Sequence, residues 1–379
     1  MNGKKAIGPT KLYLMENKAD MKKLERNDIE ELLCKNVPDL NDKSLYIMGG
    51  GNTTQLYQEG LQRESFFEQI EGYVNSNPKN WNKEIFGKPC VSPQSLYSKE
   101  NALVFINTPR PNYIKEMRET LSTLNLRHYL LSEAILKNHK DKVLEVYDML
   151  YDQKSKDVYA NMIFCQVEGV YPDYDVYTPN SYFCWNEWTN KETGSIFVDI
   201  GAYVGDSMEQ FIWNKEGRVD KIICFEPDKK NFHSLKFRTE RLKNEWNLDD
   251  KKVILFPYGV SEKTSEGFVQ SSSSTDGLSS KIVQEACGEL IKIVALDDVI
   301  KEKVDFIKAD IESYEYKMLL GAEKIIKKYE PCLAVCIYHN ATDFFSIPLL
   351  IKKMLPKAKF AVRHHSNNES GTVLYAWTE

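Results

Sequence analysis

Short apolar runs alternate along the chain with segments of helical period. Leu45, Tyr46, Ile47 and Met48 read as a buried strand, followed by Gly49-Gly50-Gly51-Asn52 and a predicted helix over 53–63. A second strand over 70–74 ends in the turn-forming Asn75-Ser76-Asn77-Pro78, and a third is predicted over 102–106. Over 113–124, Ile114, Met117, Leu121 and Leu124 recur at helical spacing. Strands that alternate with helices predict a parallel, doubly wound sheet. A helix over 142–152 follows, then a stretch rich in Tyr, Asn, Asp and Pro over 171–180. It holds too many aromatics for a solvated tether and reads as a connector packed on a domain. Tyr182, Phe183 and Trp185 continue it, and core packing is favoured for them over stacking on a sugar or covering a cofactor.

A second and more regular alternation starts near Ser195. Strands are predicted over 196–200, 221–225, 252–256, 304–307, 332–337, 359–363 and 372–377, with helices over 206–213, 229–244 and 314–328. The polar run 271–277 cannot bury a core and reads as an exposed or mobile loop. The predicted organisation is a helical extension (1–40), a smaller Rossmann-like α/β domain (41–136), a helical and aromatic connector (137–193) and a larger α/β domain (194–379). A length of 379 residues accommodates two domains.

Hydrophobic residues at 42% and charged residues at 28% fit a soluble globular chain. The net charge of -5 argues against a nucleic-acid partner. No run reaches the ~20 apolar residues of a membrane helix, and the first residues lack the apolar core of a signal peptide. The eight cysteines form no C-x-x-C pair, and Cys224 and Cys336 sit in strand-like runs as buried thiols. These features predict a cytoplasmic location.

The stretch Ile196-Phe-Val-Asp199-Ile-Gly201-Ala202-Tyr203-Val-Gly205-Asp206 places a strand, a glycine turn and a helix start in series. Glycines let the backbone approach a ligand, and the helix start offers free N–H groups. The spacing is Asp199-x-Gly201-x-x-x-Gly205, and not the full G-x-G-x-x-G of a dinucleotide site. A carboxylate at the strand end repels a pyrophosphate but suits a ligand with an ammonium group, such as S-adenosylmethionine. The opposing reading is a plain strand-to-helix turn with a solvated Asp. Glu226 ends the next strand, where a carboxylate can accept both ribose hydroxyls, and Pro227 stops that strand. Glu226 could instead cap the following helix. The expected cofactor contacts are Asp199, Gly201, Ala202, Tyr203, Gly205, Asp206, Glu226, Pro227 and Asp310.

The fourth strand runs into Lys308-Ala-Asp310-Ile-Glu312-Ser-Tyr-Glu315, and the fifth into Tyr338-His339-Asn340. If the fourth strand continues, Asp310 and Glu312 point the same way, while Glu315 starts the next helix. His339 and Asp310 are candidate general bases for an acceptor hydroxyl. Asp310, Glu312 and His339 also form a candidate set for a divalent cation such as magnesium. For His339 the plain alternative is a structural histidine bonded to backbone, and His364 and His365 are more ambiguous still.

The segments 198–206, 225–228, 293–298, 305–312 and 337–340, in that order, resemble the FkbM family of class I methyltransferases. The resemblance covers about half the chain. It implies a seven-stranded sheet with the last strand antiparallel, S-adenosylmethionine as cofactor, and O-methylation of sugars in polysaccharides, glycolipids or natural products. One departure is Ser313, where the family usually has glycine after the second carboxylate. The first α/β unit resembles, more weakly, the nucleotide-binding domain ahead of some bacterial sugar acyltransferases. Gly49, Gly51 and Thr54 stand at the places of its glycine loop, and 86–91 also looks like that domain. Gly49, Gly51 and Asn52 thus mark a second site for a sugar nucleotide or carrier-linked sugar. The alternative is a scaffold that packs on the other unit or forms a homodimer. The expected activity is O-methylation of a saccharide hydroxyl. The rivals are a sugar-nucleotide-binding protein and an NAD-dependent sugar-modifying enzyme; against the latter, the second strand ends at Asn75 with no acidic residue to take a ribose.

Overall fold

The computed structural model describes residues 23–36, 39–49, 60–185, 195–271, 280–283 and 289–378. The chain divides into two compact units. One comprises Met1–Asp148, Gln153–Tyr177 and Ser366–Ser370, the other Met149–Asp152, Thr178–His365 and Gly371–Glu379.

The first unit is built on strands β1 (Ser44–Met48), β2 (Ile70–Val74), β3 (Glu84–Ile85), β4 (Lys88–Val91), β5 (Ala102–Ile106) and β6 (Arg127–Leu130). Their order is β3-β4-β2-β1-β5-β6, and only β3 runs antiparallel to its neighbour. All five residues of β5 are buried, as expected of an apolar run covered on both faces. Helix Pro111–Thr123 opens on a proline, which has no N–H to leave unpaired in a first turn. The short edge strand β6, Arg-His-Tyr-Leu, carries no apolar alternation and is not legible from its sequence. The predicted helix over 53–63 and the residues Gly51, Asn52 and Thr54 lie mostly or wholly outside the described residues.

The second unit holds β7 (Ile196–Ile200), β8 (Lys221–Phe225), β9 (Val253–Phe256), β10 (Tyr258–Val260), β11 (Ser265–Ser271), β12 (Ser280–Val283), β13 (Glu289–Val294), β14 (Phe306–Ala309), β15 (Cys332–Cys336), β16 (Lys359–His364) and β17 (Thr372–Trp377). Seven of them form one sheet in the order β16-β17-β15-β14-β7-β8-β9. Strand β17 is antiparallel to both its neighbours, and the rest pair in parallel. This is the α/β sheet typical of class I methyltransferases, with the last strand antiparallel as expected.

A four-stranded sheet, β10-β13-β11-β12, was not expected from the sequence. Of the polar run 271–277, only Ser271 is described, at the end of β11. The expected helix over 314–328 is two helices, Glu315–Gly321 and Glu323–Tyr329, with a break at Ala322. The Asp297 carboxylate accepts from Lys324 N and Ile325 N at 3.0 Å each, and so caps the second helix.

Phe183, Phe197, Phe211 and Phe306 form the aromatic centre of the core, with Phe197 stacked on Phe211 at 4.6 Å and on Phe306 at 5.2 Å. Trp185 also packs in this core. No helix among the described residues is long and apolar enough to cross a membrane.

Candidate active site

Strand β7 is the point where the sheet reverses. The chain moves outward from it through β8 and β9, then returns to β14 on its other side. The crevice beyond the carboxyl ends of β7 and β14 is where doubly wound sheets bind ligands. Gly201 follows β7 and Asp310 follows β14, and they meet here so tightly that a Cβ on Gly201 would stand 1.9 Å from the Asp310 carbonyl oxygen. Gly201 has φ +74° and Gly205 φ +85°, a region that favours glycine.

The loop between them is fixed from several sides. Gly201 N and Ala202 N both donate to Phe225 O at 3.0 Å, and Gly205 N donates to Ala202 O at 2.7 Å. Ala202 is fully buried, Tyr203 half-buried, and Gly205 caps the helix Asp206–Asn214, whose first residue is exposed. From β14, Lys308 Nζ donates to Gly201 O at 2.7 Å.

Lys308 also lies 3.1 Å from Asp199 Oδ1, and Ser207 Oγ donates to Asp199 Oδ2 at 2.5 Å. Asp199 has no solvent exposure. Burial pushes its pKa up against Lys308 and Ser207, while Asp199 and Asp310 hold the Lys308 ammonium charged despite its burial. A protein ammonium therefore already stands where the sequence suggested a ligand's ammonium.

Glu226 is 5% exposed. Its Oε2 accepts from Tyr203 N at 2.8 Å and its Oε1 from Asp228 N at 2.9 Å. An ionised carboxylate has about four lone-pair sites, so both oxygens retain capacity. Burial pushes its pKa up to about 7 against those two bonds. The helix Lys229–Trp246 is capped by Asp228, which accepts from Lys230 N and Asn231 N, so Glu226 is not its cap. Pro227 between them is half-buried.

Beyond β14, one expectation is corrected. The strand ends at Ala309 and does not continue through Glu312. Glu312 (φ +53°) and Ser313 (φ +83°) turn left-handed instead. The carboxylates still converge on His339 through this turn: Nε2 lies 3.5 Å from Asp310 Oδ1 and 3.8 Å from Glu312 Oε2.

Glu315 opens its helix as expected, but its side chain is fully buried and lies 3.0 Å from His339 Nδ1. Glu315 Oε1 also accepts from Ile311 N at 2.8 Å. Burial disfavours a charge on His339, but the carboxylates of Glu315, Glu312 and Asp310 outweigh it and push the imidazole up to about 10. Asp310 is held below the usual carboxylate range: burial opposes its charge, and His339 and Lys308 overcome that. Tyr182 OH donates to Asp310 Oδ2 at 2.8 Å and Tyr338 OH to Oδ1 at 3.2 Å.

Sequence reasoning missed Lys308, Glu315 and Tyr338 as members of this cluster. The signal for Lys308 was a lone charge in the apolar run Phe306-Ile-Lys-Ala309, which burial obliges to find a partner. His364 bonds Thr372 Oγ1, and His365 bonds Thr178 O and Tyr375 OH.

In the first unit, Gly49 (φ +127°) follows β1, and a Cβ there would stand 2.4 Å from Asn107 O at the end of β5. The Asn107 Nδ2 is buried and has no hydrogen-bond partner among the described residues.

Residues 199–362 match the methyltransferase FkbM domain. A solved structure of a methyltransferase FkbM from Methylobacillus flagellatus superposes with a TM-score of 0.56 at 18% identity, covering 94% of this chain and 100% of that one. At that identity the likeness speaks for the fold alone. A protein described as an rRNA methylase from Clostridium thermocellum is 13% identical, covers 48% of this chain and 86% of its own, and has a TM-score of 0.32. A Streptococcus mutans protein described as a methyltransferase in complex with SAH is also 13% identical, over 49% and 89%, with a TM-score of 0.31. Neither of these two bears on the function of this chain. No curated protein matches the chain significantly. Residues 199–362, in the C-terminal part of the chain, are therefore similar to a methyltransferase FkbM domain, and S-adenosylmethionine-dependent methyl transfer is the activity that this domain implies.

Proposed function

We propose that the enzyme methylates a hydroxyl of a saccharide: a polysaccharide, a glycolipid or a sugar-nucleotide precursor. The observation that carries this reading is the mouth at the end of β7 and β14. Five carboxylates (Asp199, Glu226, Asp310, Glu312 and Glu315) face two cations, Lys308 and His339. The excess negative charge suits a sulfonium donor. The side chains of Asp310 and Glu312 are 27% and 24% exposed, which places both carboxylates where a sugar could reach them. The likeness of motif order to sugar O-methyltransferases supports the same class.

Gly201 and Gly205, both left-handed, let the loop pack directly on the Asp310 backbone and on Leu235 and Met208, and S-adenosylmethionine would be held against this loop. It supplies a methyl group that is already activated for in-line displacement. The chain then has to bind and align. Gly201, Ala202, Tyr203 and Gly205 carry the backbone under the cofactor, with Asp206 at the helix start. Glu226 takes the ribose hydroxyls, and Pro227 fixes its turn. Asp199 acts through Lys308, holding the loop at Gly201. Asp310 faces the acceptor hydroxyl and receives its proton as the new C–O bond forms. His339, charged between carboxylates, keeps Asp310 ionised.

The test is transfer of labelled methyl from S-adenosylmethionine to a panel of saccharides, with Asp310→Asn in parallel. Labelling of amine or carboxylate acceptors alone would sink the saccharide reading, and undiminished activity in Asp310→Asn would sink the assigned role.

A second reading concerns the first unit. The unpartnered Asn107 amide beside Gly49 lies at the reversal of that sheet, between β1 and β5. We assign to this crevice at Gly49 a sugar nucleotide; Gly51 and Asn52, expected from the sequence to join it, lie outside the described residues. A thermal shift with uridine diphosphate sugars, lost in Asn107→Leu, supports it, and no shift in the wild type excludes it.

A further inference from the structure

Tyr182 precedes β7, and its sequence context favours core packing. The next residue, Phe183, does lie in the aromatic core, but the Tyr182 hydroxyl is bonded at the mouth, where it donates to Asp310 Oδ2 at 2.8 Å. Two further contacts hold Tyr182 in place. Its backbone N donates to Tyr375 OH at 3.1 Å, and Lys308 Nζ stands over its ring, 5.1 Å from the centroid. Tyr182 also has φ +67°. A bulky residue is strained there, and such strain persists where the surroundings over-determine it. The turn lets consecutive residues serve the core and the carboxylate.

We infer that Tyr182 is a positioning residue for methyl transfer: its hydroxyl fixes the Asp310 carboxylate so that a free lone pair faces the acceptor. This rests on the assignment of Asp310 as the group that receives the acceptor's proton. A carboxylate has about four lone-pair sites. Tyr182 occupies one on Oδ2, and Tyr338 one on Oδ1 at 3.2 Å, so each oxygen keeps capacity. The last torsion of an aspartate is broad and roughly two-fold, so only such bonds decide where that capacity points. The Tyr182 bond is the shorter and carries the larger share.

Burial and then the Asp310 charge push the Tyr182 phenol well above its usual range. Tyr182 therefore keeps its proton and only donates, while the acceptor's proton goes to Asp310. Lys308 joins this device to the cofactor loop, because the same ammonium that faces the Tyr182 ring bonds Gly201 O at 2.7 Å. The carboxylate and the loop are thus held in one register, as in-line displacement requires.

The experiment compares Tyr182→Phe, Asp310→Asn and the double variant in the full chain. Tyr182→Phe removes one oxygen and keeps the ring against Lys308 and the core. Labelled methyl transfer from S-adenosylmethionine to the saccharide panel reads kcat and KM, and calorimetry reads S-adenosylhomocysteine affinity. A crystal structure of Tyr182→Phe with S-adenosylhomocysteine reads the Asp310 rotamer. The expected result is a kcat lower by about ten- to a hundredfold, the worth of one hydrogen bond to a charged group, with cofactor affinity unchanged and Asp310 turned from its wild-type rotamer. Tyr182→Phe should add nothing in the Asp310→Asn background, and Tyr338→Phe should cost less. A wild-type kcat in Tyr182→Phe overturns the inference. So does an equal loss with and without Asp310, which a merely structural role would give, or a matching loss of S-adenosylhomocysteine affinity, which would place the effect in the loop. An Asp310 side chain left in its wild-type rotamer also overturns it, whether or not any saccharide is labelled. Full activity in Asp310→Asn, with the carboxylate turned in Tyr182→Phe, would sink the proton-acceptor reading and leave the positioning of the carboxylate standing.

Discussion

The buried carboxyl of Glu226 couples cofactor binding, stability and pH in a way that can be measured separately. In the ligand-free protein its pKa is pushed up from 4.5 to about 7. The native state then holds this proton more tightly than the unfolded chain does. Its contribution to stability is therefore full below pH 4.5, falls as pH rises through 7, and is lost above. A shift of 2.5 units corresponds to roughly 3 kcal/mol across that window.

Ribose hydroxyls donate to the ionised form, so cofactor binding and proton binding compete. Affinity for S-adenosylmethionine should fall about fivefold from pH 7 to pH 6 and approach a tenfold fall for each further unit. Calorimetric titration from pH 5.5 to 8.5, in two buffers of different ionisation enthalpy, reads both the affinity and the protons released. Urea unfolding over the same range reads the stability slope.

Glu226→Gln should flatten both profiles. Its absolute stability is less telling, because one amide N–H would face a backbone N–H of Tyr203 or Asp228, a cost of ~1–3 kcal/mol that offsets the relief of the buried charge. A wild-type affinity that is flat from pH 6 to 8, or a Glu226→Gln variant that keeps the wild-type slope, refutes the reasoning.

The other predictions concern the scaffold of the same mouth. Lys308→Met leaves the buried Asp199 carboxylate unpaired, and should cost about 3–5 kcal/mol in urea unfolding, with Asp199→Asn in the same chain recovering part of it. Gly201→Ala forces a Cβ against the Asp310 carbonyl. It should abolish cofactor binding by calorimetry, whereas Gly205→Ala, whose nearest neighbours are flexible side-chain ends, should weaken it less. Ser313→Gly relieves a left-handed serine and removes a buried hydroxyl without a partner among the described residues. It should raise stability by about 1 kcal/mol, seen as a higher Tm.

Several of these features could be anticipated from sequence, and others could not. Strands β7, β8 and β17 fall at the residues their apolar runs mark, because a strand covered on both faces announces itself without reference to anything else. Strand β14 starts two residues later than its run suggests. Val304 is apolar and buried, but Asp305 is used to bond Ile196, so the run begins before the strand does. The sheet β10-β13-β11-β12 left no readable trace, since its short strands carry mixed residues and its pairings join segments distant in sequence.

The sequence by itself determined the order of strand, glycine turn and helix at 196–206. It also placed an acidic residue after each of β7's two neighbours and marked seven candidate strands, whose joining in one sheet was what the family resemblance implied. Local steric rules and burial suffice for these. Only the tertiary structure decided which charges meet. Lys308 stands against Asp199 because β14 pairs with β7 in one particular register, across more than a hundred residues of chain. Glu312 reaches His339 because the chain leaves β14 in a left-handed turn that no strand periodicity foretells. Register and turn are set by packing of the whole sheet, and the pairing of buried charges follows from them.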